Sequence, residues 1–92
     1  MGRPDIREHK RIIVKLHKLF IQKSTDYGSS THDTYEKYGL TSFLVRLEDK
    51  LNRARTISKQ EALVKDEKIE DTLLDMANYA ILAVMELRGY KD

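Results

Sequence analysis

Lys65-Asp66-Glu67-Lys68-Ile69-Glu70-Asp71-Thr72-Leu73-Leu74-Asp75-Met76-Ala77-Asn78-Tyr79-Ala80-Ile81-Leu82 is the stretch on which the fold of this chain turns. Apolar residues recur in it at helical spacing and occupy almost the whole circumference. The pattern predicts one long helix from Asp66 to Arg88, closed by Gly89, a residue type favoured just past a helix C-terminus. Ile81, Ala77, Leu73, Val84 and Ala80 read as its main core face. Asp71, Asp75 and Asn78 fall on a different line, at i, i+4 and i+7, with Glu67 in the same arc and Leu74, Leu82 and Met85 bordering it. Polar groups flanked by apolar ones are expected to face a partly buried cleft or interface. A carboxylate tolerates that setting only when paired with a cation, bound to metal or protonated.

Two further long helices are predicted upstream. The first runs from Pro4, suited to a first helical turn, to Lys23, with His9, Ile12, Leu16, Leu19 and Phe20 on one stripe. A polar segment from Ser24 to Asp33 follows, broken at Gly28. A short helix or turn spans Asp33 to Tyr38 and stops at Gly39. The second long helix runs from Thr41 or Ser42, either of which suits its cap, to Thr56. Phe43, Leu44, Leu47, Leu51 and Ala54 form its apolar arc, and residues 58–65 read as a linker. No alternation of period two is long enough for a strand. The fold class is therefore all-α: a small bundle of three long helices plus a short helix or turn, in one domain over residues 1–92.

Composition narrows the function classes. A chain of 92 residues buries a modest share of its surface, so completion of the core by homo-oligomerisation is expected. The net charge of +2 does not argue for nucleic acid. The absence of cysteine excludes disulfides, thiolate catalysis and thiolate-ligated zinc. No apolar run reaches membrane-spanning length and no signal peptide is apparent, so the expected location is the cytoplasm.

The chemistry-bearing residues gather in three groups. The first is the acidic line. Carboxylates one turn apart can share a hard dication, so if a metal is held its ligands are Asp71 and Asp75 and the ion is Mg²⁺. The competing reading is an interhelical salt-bridge ladder with no ligand. The second group is Arg46, Lys50 and Arg53, three cations on one face of the second long helix, with Asp49 beside them. They are placed either to neutralise Asp71 and Asp75 directly or to clamp phosphate, for which arginine supplies paired hydrogen bonds; otherwise they are a solvated face. The third is Asp26-Tyr27-Gly28, either a base-stacking loop or an ordinary helix-ending turn. His32, beside Asp33 in the polar segment, is the histidine placed to carry a proton. No nucleophile triad and no glycine-rich phosphate loop is present.

Asp26-Tyr27-Gly28, Tyr38-Gly39-Leu40, Arg46-Leu47-Glu48-Asp49-Lys50-Leu51-Asn52-Arg53 and the stretch from Val64 to Ala80 together resemble the nucleotide modification associated domain 1 family of phages and bacteria. The resemblance covers the chain from Ser24 to Leu87. It implies an intracellular helical protein of phage systems that make or handle modified nucleotides, without a settled reaction. A looser similarity is to the all-α MazG-type nucleoside triphosphate pyrophosphohydrolases, which bind Mg²⁺ with acidic pairs on two helices. The second long helix departs from that pattern, offering Arg46, Asp49, Lys50 and Arg53 where an acidic pair is expected.

Three readings follow. In the leading one, Arg46, Lys50 and Arg53 hold the phosphate of a nucleotide or nucleotide-derived ligand. Asp71, Asp75 and Asn78 orient those cations or contact base and sugar, and Asp26 and Tyr27 close the site. A phage protein of this kind would sequester a nucleotide signal of host defence. The second reading is a Mg²⁺-dependent pyrophosphohydrolase or an accessory to base modification. The third is an inhibitor module for a protein partner, with a purely structural polar site.

Overall fold

In a computed structural model, residues 5–27, 29–60 and 62–89 are described, with side chains except at 26, 27 and 62–67. Four helices follow in order: α1 Ile6–Tyr27, α2 Ser30–Tyr38, α3 Thr41–Ile57 and α4 Ala62–Leu87. No strand occurs among the described residues. The all-α reading holds, with three long helices and a short one.

The helix ends follow local chemistry. Asp5 caps α1, its Oδ1 accepting the backbone N–H groups of Arg7 and Glu8 at 3.0 and 3.1 Å. Gly39 closes α2 at φ +69° and donates its N–H to the Tyr35 carbonyl. Gly89 follows α4 at φ +68°. Both glycines sit where a left-handed backbone is needed, as expected from the sequence.

Three boundaries and one cap differ from expectation. α2 begins at Ser30 instead of Asp33. α1 continues through Ser24 to Tyr27, because the Ser24 hydroxyl folds back onto the Ile21 carbonyl at 2.7 Å and stays within the helix. α4 begins at Ala62, so the second half of the expected linker is helical; the turn before it is made by Lys59 and Gln60 N–H donating to Thr56 and Ile57 carbonyls. Neither Thr41 nor Ser42 caps α3. Leu40 holds the cap position, and the Ser42 hydroxyl donates to the Gly39 carbonyl at 2.8 Å.

α3 and α4 pack along their lengths as an antiparallel hairpin, since Arg46 meets Tyr79 while Lys50 meets Asp75. All four helices meet at a core of Phe43, Leu82 and Ala83, walled by Phe20 of α1, Tyr35 of α2, and Tyr79 and Met85 of α4. The Tyr35 and Phe43 rings lie 6.1 Å apart at 51°, a favourable tilted pairing. α1 touches α4 mainly through its second half: Leu16 is buried, whereas Ile6, Ile12, Ile13 and Val14 are exposed.

The expected core face of α4 is not the one that packs. Leu73, Ala80, Ile81 and Val84 are exposed, and the inward arc carries Thr72, Leu74, Asn78, Leu82, Ala83 and Glu86. Either arc has enough apolar surface to be a core face, so periodicity alone does not choose between them. On α3 the same shift leaves Phe43 and Ala54 buried and Leu44 and Leu51 exposed.

Candidate functional site

Asp75 is the centre of the polar cleft. It projects from α4 with its side chain 22% exposed and is gripped from two sides. Lys23 of α1 donates to Oδ1, and Lys50 of α3 donates to Oδ2 at 3.2 Å. One carboxylate thus ties together three helices. Burial pushes its carboxyl pKa up, but hydrogen bonds from Lys23 and Lys50, reinforced by their charges, outweigh burial and hold it below the ordinary carboxylate value. It is ionised at neutral pH, and both its oxygens face ammonium groups. Among the described residues no group of three or more Asp, Glu or His side chains gathers to hold a metal. A dication held by Asp71 and Asp75, if one is bound, takes the place of at least one of these two lysines.

Arg46 sits one turn before Lys50 on the half-buried side of α3. Its guanidinium carbon lies 5.7 Å from the centroid of the Tyr79 ring, within cation–π range. Arg46 also lines a shallow hollow of about 420 Å³ between α2 and α3, with Thr34, Tyr38, Thr41, Ser42 and Val45. Arg46 thus lies between the Tyr79 ring of α4 and a hollow lined by hydroxyls and an exposed tyrosine ring.

The other expected site residues lie elsewhere. Asp49 and Arg53 are exposed on α3. Asp71 is exposed, and its charge acts on Lys15, whose pKa is raised chiefly by a hydrogen bond to Glu70 and further by the charges of Glu70 and Asp71. Asn78 is 2% exposed and donates from Nδ2 to the Leu16 carbonyl at 3.3 Å, so it anchors α1 to α4 in the interior. The side chains of Asp26 and Tyr27 lie outside the described residues. Of the nine residues read from the sequence, the structure brings Asp75 and Lys50 into direct contact, with Arg46 alongside.

Lys23 was missed as a partner of Asp75. The signal was present: Lys23 continues the apolar stripe of Leu16, Leu19 and Phe20, and a cation on such a stripe needs a counter-charge. Glu86 was missed too. Its side chain is 3% exposed and meets His32 Nδ1 at 2.9 Å, while His32 Nε2 lies 3.3 Å from Glu36. With a carboxylate at each ring nitrogen, the ring suits the imidazolium form. Its pKa is raised, first by the Glu86 hydrogen bond and then, against some desolvation, by the charges of Glu86, Glu36 and Asp33. This contact fastens α2 to α4.

The sequence profile described as Nucleotide modification associated domain 1 matches residues 23–87, which include Lys23, Arg46, Lys50 and Asp75. No curated protein and no solved structure matches the chain.

Proposed function

The chain belongs to the nucleotide modification associated domain 1 family, and from that premise we propose that it binds a nucleotide or nucleotide-derived ligand at the Asp75 cleft. The observation that carries this reading is the grip of Lys23 and Lys50 on Asp75, one turn from Arg46. A carboxylate between two ammonium groups holds them close at a separation their own repulsion would otherwise widen. Lys23, Lys50 and Arg46 against Asp75 leave a local charge of 3 − 1 = +2, which suits a phosphate group carrying about −1.5 to −2 at neutral pH. Lysine donates through three rotatable N–H bonds and arginine through a planar fork, so the set can follow phosphate oxygens.

Arg46 orients the rest of the ligand. With phosphate over Arg46 and Lys50, a base extends into the hollow between α2 and α3, where the Tyr38 ring offers a stacking face and Thr34 and Thr41 offer hydroxyls. Its volume of about 420 Å³ falls in the range of small-molecule sites. Asn78 supports the site from within by fixing α1. Binding without turnover suits sequestration of a nucleotide signal, the role expected of a phage-encoded member.

Titration calorimetry with mono-, di-, tri- and cyclic nucleotides tests the reading. At least one class is expected to bind, with affinity falling about tenfold or more in Lys50→Ala or Arg46→Ala, the size of one charge-assisted hydrogen bond. Absence of heat with every class would remove it.

A further inference from the structure

The α3–α4 hairpin displays two apolar seams that the four helices leave largely exposed, with Leu47 and Ala77 half-buried. On α4, Leu73, Ala77, Ala80, Val84 and Leu87 recur at alternating intervals of four and three. On α3, Leu40, Leu44, Leu47 and Leu51 do the same. This is the spacing of side chains that interlock between packed helices. Leu40, Leu44, Leu51, Leu73, Val84 and Leu87 all stand between 40% and 60% exposed. At about 100° per residue, the α4 seam lies roughly opposite Asp75 and the α3 seam roughly a quarter turn from Lys50. Both are therefore turned away from the cation cleft.

The chain also carries more surface than a compact monomer of its mass. Its accessible area is 7406 Å², where a compact monomer of 10.8 kDa has about 5,500 Å². The excess of roughly 1,900 Å² is more than twice the ~800 Å² per partner that a standard stable interface buries. The radius of gyration is 14.9 Å against about 12 Å for a compact domain of this length. Among the described residues, Phe43 is the only large side chain that is fully buried.

We infer that the exposed α3–α4 seams are a self-docking surface, on which a second copy of this chain packs its own hairpin to complete a four-helix bundle. A two-fold axis at Ala80 runs the two α4 helices antiparallel. Leu73 then meets Leu87 of the partner subunit, and the small Ala77 and Ala80 let the helix axes approach at the centre. Charge order agrees with this direction. Glu70, the ninth residue of α4 and paired with Lys15 of its own chain at 2.8 Å, and Arg88 just past the helix end lie on the same edge of the seam, so each Glu70 also comes near Arg88 of the partner subunit. The α3 leucines flank the α4 pair, and the Asp75 cleft stays open on the other side. A closed, isologous pair is the commonest solution for a self-complementary patch.

Sedimentation equilibrium of the full chain, with two variants, tests this. The wild type is expected at twice 10.8 kDa. Ala80→Arg, which sets like charges against each other across the axis, is expected at the single-chain mass with its helical circular dichroism retained. The chain has no cysteine, so Ala80→Cys introduces one. Mild oxidation is expected to link it into a covalent dimer at least tenfold faster than Asn52→Cys, an exposed site on another face of α3. The cysteine pair decides the matter even if Ala80→Arg fails to fold. A wild type at single-chain mass at every concentration overturns the inference and leaves the seams to a different protein. Equal cross-linking at both positions overturns it too. A dimer that survives Ala80→Arg but is lost in Ile13→Arg also overturns it, placing the contact in the α1–α4 groove.

Discussion

Asp75→Asn keeps the shape of the side chain at the centre of the cleft and removes its charge, so it isolates what the two lysine contacts contribute. The magnitude follows from exposure. Side chains of Asp75, Lys50 and Lys23 are 22%, 28% and 39% exposed. They sit between surface ion pairs, worth about 0–1 kcal/mol, and fully buried ones, whose disruption costs about 3–5 kcal/mol. Discounted for solvent, loss of both contacts is expected to cost about 1–2 kcal/mol. For a chain of this size that lowers Tm by roughly 5–15 °C at fixed protein concentration. The sign with pH is set by the depressed carboxyl. Its contribution is present above the ordinary value of 3.8 and is lost as pH falls through the lower native value. Wild-type and variant melting curves are therefore expected to stand apart at neutral pH and to converge in acid. At about 1 M salt, where screening acts over roughly 3 Å, the gap is expected to narrow. Differential scanning calorimetry across pH and salt reads all of this. Equal Tm values at neutral pH and low salt, or a gap that persists unchanged once Asp75 is protonated, would refute the reasoning.

Three other perturbations probe separate parts of the structure. The His32 pKa is raised, so the hold of α2 on Glu86 is fully present below the ordinary histidine value of 6.5 and is lost as pH rises through the raised one; α2 amides are expected to exchange faster, relative to those of α3, at pH well above that value. Phe43→Ala opens the core where all four helices meet and is expected to cost about 3–5 kcal/mol in urea unfolding; a loss under about 1 kcal/mol would show that the core is not centred there. Asn78→Ala removes the hydrogen bond to Leu16 and is expected to cost about 1 kcal/mol, with α1 becoming the first segment cut in limited proteolysis.

Secondary structure was legible because it rests on local signals. Gly39 and Gly89 stop their helices because each takes a positive φ there, whatever surrounds it. The errors at Ser24 and Ser42 share a cause: a hydroxyl beside a helix end can cap it or fold back onto a carbonyl, and the residues alone do not choose. The pairing of Lys50 with Asp75 was among the readings of the two charged rows, since facing helices of opposite charge have one obvious way to satisfy both. Lys23 and the Glu86–His32 contact were not read. Each joins residues more than fifty positions apart, and such contacts depend on how α1 and α2 cross α4.

The sequence by itself determined that the chain is helical, where its glycine stops fall and which family it belongs to. Those follow from period, local backbone conformation and sequence motifs. Tertiary structure alone decided which face of α4 turns inward. That helix is apolar on nearly every side, so the choice fell to packing around Phe43, to Asn78 reaching Leu16, and to Asp75 held between two lysines. The face first taken for the core was left outside, because four helices can enclose only one side of it.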